Sequence, residues 1–181
     1  MDELPPLRRI VTGHTVDGKA VVESDKTLSP VDPRAANSKS LTDIERNMPE
    51  GGGFINIWKT NKIPAIIQGP WDDIHGATMP LADKKDTIVR AVDMPAGLSS
   101  PMHRTVSLDF GVLLSGENVS MELDDSVEVS ILPGDVIVQR GTIHAWHNRG
   151  RISARLLFIL IPAEEVIIKG DKMKPTEFGV N

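Results

Sequence analysis

From Val106 to Ile161 short runs of β-branched and apolar residues alternate with turn dipeptides. The runs are Val106 to Leu114, Val119 to Leu123, Val127 to Leu132, Asp135 to Gln139, His144 to Asn148 and Ala154 to Ile161. Ser115-Gly116, Asp124-Asp125, Pro133-Gly134, Arg140-Gly141 and Arg149-Gly150 separate them. Strands at roughly ten-residue spacing, with no long amphipathic helix between them, predict an all-β antiparallel sandwich or barrel.

Upstream, Arg8 to Gly13 and Lys19 to Ser24 flank Asp17-Gly18, a dipeptide suited to the positive φ of a tight turn, so the chain opens with a hairpin. From Leu28 to Gly53 the composition shifts to Ser, Pro, Asp, Asn and Gly, with only Ser40 to Asn47 resembling a helical turn. This segment reads as a long loop or arm. Phe54 to Thr60 and Thr87 to Met94 read as further strands around a stretch that holds Trp71 and His75. The expected organisation is an N-terminal hairpin and arm over 1–53, one barrel over 54–165 and a C-terminal tail over 166–181.

With 181 residues the chain suits one domain, and too few residues remain for a second barrel. It has no cysteine, so any metal must be held by His and carboxylate, and neither a disulfide framework nor a thiolate nucleophile is available. A net charge of −5 with scattered Lys and Arg offers no basic face for nucleic acid. The acidic, proline-broken start is unlike a secretory signal, and the longest apolar stretch, Leu156 to Pro162, is too short to cross a bilayer. The expectation is a cytoplasmic protein with no nucleic acid or membrane partner.

Candidate chemistry concentrates before and within the Val106 run. His103, Thr105, Ser107 and Asp109 share one parity, and Val106, Leu108, Phe110 and Val112 the other. Alternating side chains give one polar and one apolar face. Short polar groups and an imidazole, without long charged residues, fit the lining of a cavity better than a wet surface.

The pattern Gly97-x5-His103-x-Thr105-x3-Asp109-x6-Gly116, followed by Gly134-Asp135 and Gly141-x2-His144-x3-Asn148, resembles the two motifs of the cupin superfamily over about Val89 to Pro162. The run from Gln139 to Trp146 further resembles small fungal and bacterial cupins near natural-product pathways. The resemblance implies a cupin-type antiparallel barrel, a double-stranded β-helix or jelly roll, and in metal-binding members a site of three His and a Glu. Here Thr105 stands where the second His belongs, Asp109 replaces the Glu, and Gln139-Arg140 replaces a proline. His103, Asp109 and His144 could still hold one divalent metal, Fe, Mn or Zn, although Asp is a methylene shorter than Glu. The alternative is a pocket with no cofactor, in which the same residues transfer protons.

Further assignments follow. Arg140, in the turn before His144, either binds a substrate carboxylate bidentately or is an exposed turn residue. Arg104 falls on the wrong face under strict alternation. Trp146 shares the parity of His144 and either walls the pocket or fills the core. Met94 and Met102 could furnish apolar pocket surface, and His75 could cap the mouth. His147, of opposite parity, is expected at a surface or interface, and Asn148 in a turn. Trp58 and Trp71 are expected in the core or a lid.

The apolar face of Val106, Leu108, Phe110 and Val112 needs a cover, and with the resemblance this predicts a homodimer. Three functions follow: an acid–base enzyme, such as a decarboxylase, dehydratase or isomerase of an oxygenated, polyketide-like small molecule; a metal-dependent dioxygenase or other oxidoreductase; or a metabolite-binding protein without turnover.

Overall fold

The structure is a computed structural model that describes residues 4–32 and 52–176. The expected helical turn at Ser40 to Asn47 and most of the Leu28 to Gly53 loop lie outside the described residues. Twelve strands are described: β1 (Leu7–His14), β2 (Ala20–Leu28), β3 (Gly53–Lys59), β4 (Ile88–Met94), β5 (Ser107–Ser115), β6 (Val119–Leu123), β7 (Glu128–Ile131), β8 (Val136–Arg140), β9 (His144–Asn148), β10 (Ala154–Pro162), β11 (Ile167–Ile168) and β12 (Asp171–Lys172). All pairings are antiparallel. Among the described residues no helix is long and apolar enough to cross a membrane.

Two sheets form the barrel. The larger has the order β3-β4-β10-β5-β8 and the smaller β7-β6-β9. Met94, Leu113 and Leu156 of the first pack with Val119, Ile131 and Trp146 of the second in one buried cluster, so the sheets meet face to face. The alternation that marked β5 in sequence holds: Ser107, Asp109, Gly111 and Leu113 are buried, while Leu108, Phe110 and Val112 are only half-buried. Across β10, Leu113, Gly111 and Asp109 oppose Leu156, Phe158 and Leu160 on the inner face. Gly111 makes room for the aromatic pair of Trp146 and Phe158, because a Cβ there would stand 3.0 Å from Phe158 Cε1.

The N-terminal hairpin forms as expected, with Gly18 at φ 77° in its turn. It covers the outer face of the large sheet at one end, where Leu28 packs with Ile55 and Ala91. Two guanidinium groups secure it. Arg155 forks onto Asp93 through two 2.6 Å bonds and donates to Pro5 O, and Arg9 donates to Asp73. Trp58 and Trp71 stack at 5.4 Å on this outer side, with Arg9 over Trp71. They therefore belong to the hairpin seam and not to the barrel core, since Trp58 pairs with Val89 on the outer face. The C-terminal segment is tied back: β11 and β12 form a small hairpin, and Thr176 exchanges two hydrogen bonds with the Arg104 backbone.

Candidate active site in the barrel interior

His144 opens β9 on its inner face, buried and two residues from the core residue Trp146. The chain from Gly97 to His103 runs antiparallel to the free edge of β9, through Gly97 N to Asn148 O, Ser100 N to Trp146 O and a reciprocal pair between His103 and His144. Directly opposed residues share a face, so both imidazoles point inward and their ring centroids lie 4.2 Å apart.

Each ring is oriented by a backbone carbonyl two residues upstream. His103 Nδ1 meets Pro101 O at 2.9 Å and His144 Nδ1 meets Thr142 O at 3.0 Å. A carbonyl can only accept, so Nδ1 carries the proton in both rings and Nε2 is the basic nitrogen. Burial lowers the pKa of His103, opposed by its bond to Pro101. His144 is pushed down to about 4, by burial first and then by neighbouring His103. Both rings are therefore neutral bases at physiological pH.

Asp109 faces the same interior from the other sheet. Ser107 Oγ donates to Thr105 Oγ1 at 2.9 Å, and Thr105 Oγ1 donates to Asp109 Oδ2 at 3.2 Å. Burial raises the Asp109 pKa, and the Ser107 and Thr105 hydroxyls pull it partly back. Among the described residues Asp109 Oδ1 has no hydrogen-bond partner, nor has Nε2 of Gln139, its neighbour across the β5–β8 ladder. An acceptor and a donor thus stand side by side on the inner wall, each able to serve a polar group of a bound molecule.

The three residues expected to converge as ligands do not do so. Among the described residues no group of three His, Asp or Glu is placed to hold a metal. The imidazoles pair with each other, while Asp109, with its short side chain, turns to Thr105. Asp109 therefore does not complete a His103, Asp109, His144 donor set.

Other expectations are corrected. Met94 lies in the apolar cluster with Trp146, so it fills the core. Trp146 is core as well, yet it also meets His144 edge-on at 5.9 Å and so backs the imidazole pair. Met102 is half-buried beside His103. His75 bonds Ser29 O at 2.9 Å, which ties its loop to the end of the N-terminal hairpin and gives it a structural role. His147 is buried, against expectation, because Ser99 and Glu122 enclose its ring at 2.8 and 2.9 Å. Asn148 does hold a turn, and does more: its amide spans the carbonyls of Met94, Pro95 and Ile152. Arg140 sits exposed at the end of β8.

Sequence reasoning missed Gln139 as a site residue and Arg90 altogether. Arg90 faces inward opposite Phe158, buried, and its partners Asn56 Oδ1, Pro80 O and Leu81 O are all neutral. Burial lowers its pKa to about 10. One arginine inside the apolar run Ile88-Val89-Arg90-Ala91-Val92 was the available signal.

Fold and site together define a single antiparallel β-barrel with a buried imidazole pair on its inner wall. Comparison with known proteins places it. No family model matches the chain. It is 34% identical over 172 residues to the cupin-domain-containing oxidoreductase fogC of Aspergillus ruber, covering 92% of this chain and 77% of that protein. It is 30% identical over 173 residues to the cupin-domain-containing oxidoreductase virC of Hypocrea virens, covering 91% and 81%. It is 29% identical over 177 residues to the oryzines biosynthesis cluster protein J of Aspergillus oryzae, covering 94% and 91%. The chain belongs to the cupin-domain family that these fungal proteins represent.

Proposed function

We propose that this cupin is an enzyme of natural-product type metabolism that transforms an oxygenated, polyketide-like small molecule by proton transfer. The observation that carries this reading is the pair of neutral imidazoles, each fixed through Nδ1 so that the basic Nε2 is the working nitrogen. A base held in one tautomer by a fixed hydrogen bond removes a proton without first reorganising. Asp109, kept above the ordinary carboxylate range, retains a proton longer as the pH rises and so suits the role of acid, with the Thr105 and Ser107 hydroxyls as its orienting neighbours. Gln139 can donate to a substrate oxygen beside it. Isomerisation and dehydration need this division between base and acid, and decarboxylation needs the acid to return a proton to the carbon that loses CO2.

The relatives named oxidoreductases support a second reading, an oxidoreductase acting on the same class of molecule. One test separates the two. Candidate oxygenated carbonyl compounds are incubated with wild type, His103→Ala and His144→Ala in deuterated water, with and without added Fe²⁺ under air. Deuterium incorporation or an isomeric, dehydrated or decarboxylated product that is lost in both variants supports the first reading. Iron-dependent oxygen consumption supports the second, and tight binding without conversion leaves a metabolite-binding protein.

A homodimer is part of this reading. The outer face of β10, β5 and β8 carries Ile159, Phe110 and Leu108 half-buried, and Val136 and Val138 at 60% and 55% exposure, beyond the reach of the hairpin. Light scattering is expected to give twice the chain mass at micromolar concentration, and a monomer contradicts it.

A further inference from the structure

We propose that a pocket apart from the imidazole pair, between the start of β5 and the C-terminal segment, binds a small carboxylate. It encloses about 220 Å³, and Arg104, Thr105, Ser107, Arg140 and Glu164 are among its lining. Strict alternation puts Arg104 and Thr105 on opposite faces. Both reach the pocket because regular strand begins only at Ser107 and the segment before it follows no pleat. The far wall comes from the returning C-terminal segment, anchored by the paired bonds between Arg104 and Thr176 and by Met173 N to Val166 O.

Its charges point to an anion. Neither the Arg104 nor the Arg140 guanidinium has an ion-pair or hydrogen-bond partner among the described residues, and Arg104 Nε is fully buried in that state. A buried N–H left without an acceptor is rare in folded proteins, and a guanidinium that turns toward a ligand carboxylate gains one. Against two guanidinium groups the lining sets one carboxylate, the exposed Glu164, leaving a single net positive charge. One positive charge in a small space matches a carboxylate better than a phosphate dianion, and the planar guanidinium fork fits carboxylate geometry. The volume lies below the range for drug-sized ligands, so the occupant is a small acid or the acidic arm of a larger one. Thr105 and Ser107 belong to this pocket's wall and their hydroxyls lead to Asp109, so one segment of chain separates the pocket from the barrel interior. The proposal stands whatever the histidines do.

The test is a titration of the full chain with acetate and malonate, followed by the arginine Nε–H resonances in nitrogen-15 NMR, with neutral acetamide as the isosteric control. Acetate and malonate are expected to shift the Arg104 Nε–H signal saturably in the millimolar range, and acetamide is not. Arg104→Gln and Arg140→Gln are each expected to weaken binding about tenfold, as the loss of a charge-assisted fork implies. Glu164→Gln, an exposed change that leaves packing alone, is expected to tighten it. Equal shifts with acetate and acetamide, no shift at about 50 mM acetate, or undiminished binding in the folded double arginine variant would overturn the proposal.

Discussion

Acidification probes the buried imidazole pair most sharply. His144 titrates near 6.5 in an unfolded chain and near 4 in the folded protein, because burial and His103 disfavour its charged form. Below pH 6.5 the unfolded chain therefore binds a proton that the folded chain refuses, and stability falls with pH until His144 itself protonates near 4. Lowering the pH from about 7.5 to about 4.5 costs about 2–3 kcal/mol from this group alone. His103 is shifted the same way and adds to the loss. Asp109 is shifted upward and works in the opposite direction, restoring stability as the pH falls from its raised value toward 3.8. Urea unfolding of wild type and His144→Gln across this range isolates the histidine. The variant starts less stable, having lost the Thr142 bond and the packing on Trp146, but its stability is expected to decline about 2–3 kcal/mol less than that of wild type. Parallel curves for the two proteins would refute the reasoning, since they would mean that His144 titrates alike in folded and unfolded chains.

Three further outcomes follow from the packing. Asp93→Ala strands the buried Arg155 cation and is expected to cost about 3–5 kcal/mol in chemical denaturation, much of it recovered by adding Arg155→Met. Asn148→Ala removes the amide that bonds the Met94, Pro95 and Ile152 carbonyls, of which Pro95 O keeps Leu98 N, and is expected to cost about 2–3 kcal/mol, measured the same way. Gly111→Val drives a branched side chain into Phe158 and Trp146, and is expected to cost about 1–3 kcal/mol and to disturb the Trp146 fluorescence.

The strands were legible because local signals agreed with the fold: turn dipeptides bound each run, and parity along β5 separated Asp109 and Ser107 from Phe110 and Val112. The pairing of His103 with His144 was legible only as two residues in one pocket. Their direct contact depends on the Gly97 to His103 segment adding to the edge of β9, a tertiary event without a local signal. Counting parity back through Val106 set Arg104 apart from the inner face, but the pocket it lines with the C-terminal segment has no local signal. His147 was misread for a related reason: parity puts it on the outer side of β9, and nothing in the sequence shows that Ser99 and Glu122 close over it. Gln139 was noticed only as a departure from a motif, because its orphaned amide matters only opposite Asp109.

The account turns on which imidazole nitrogen is basic, and long-range proton–nitrogen NMR of the histidine rings at neutral pH reads this directly. Both His103 and His144 are expected to show a protonated Nδ1 and an unprotonated Nε2, with His144 unchanged down to about pH 5. An Nε2-protonated tautomer, or a charged His144 ring at neutral pH, would contradict the assignment of the pair as the base of this site.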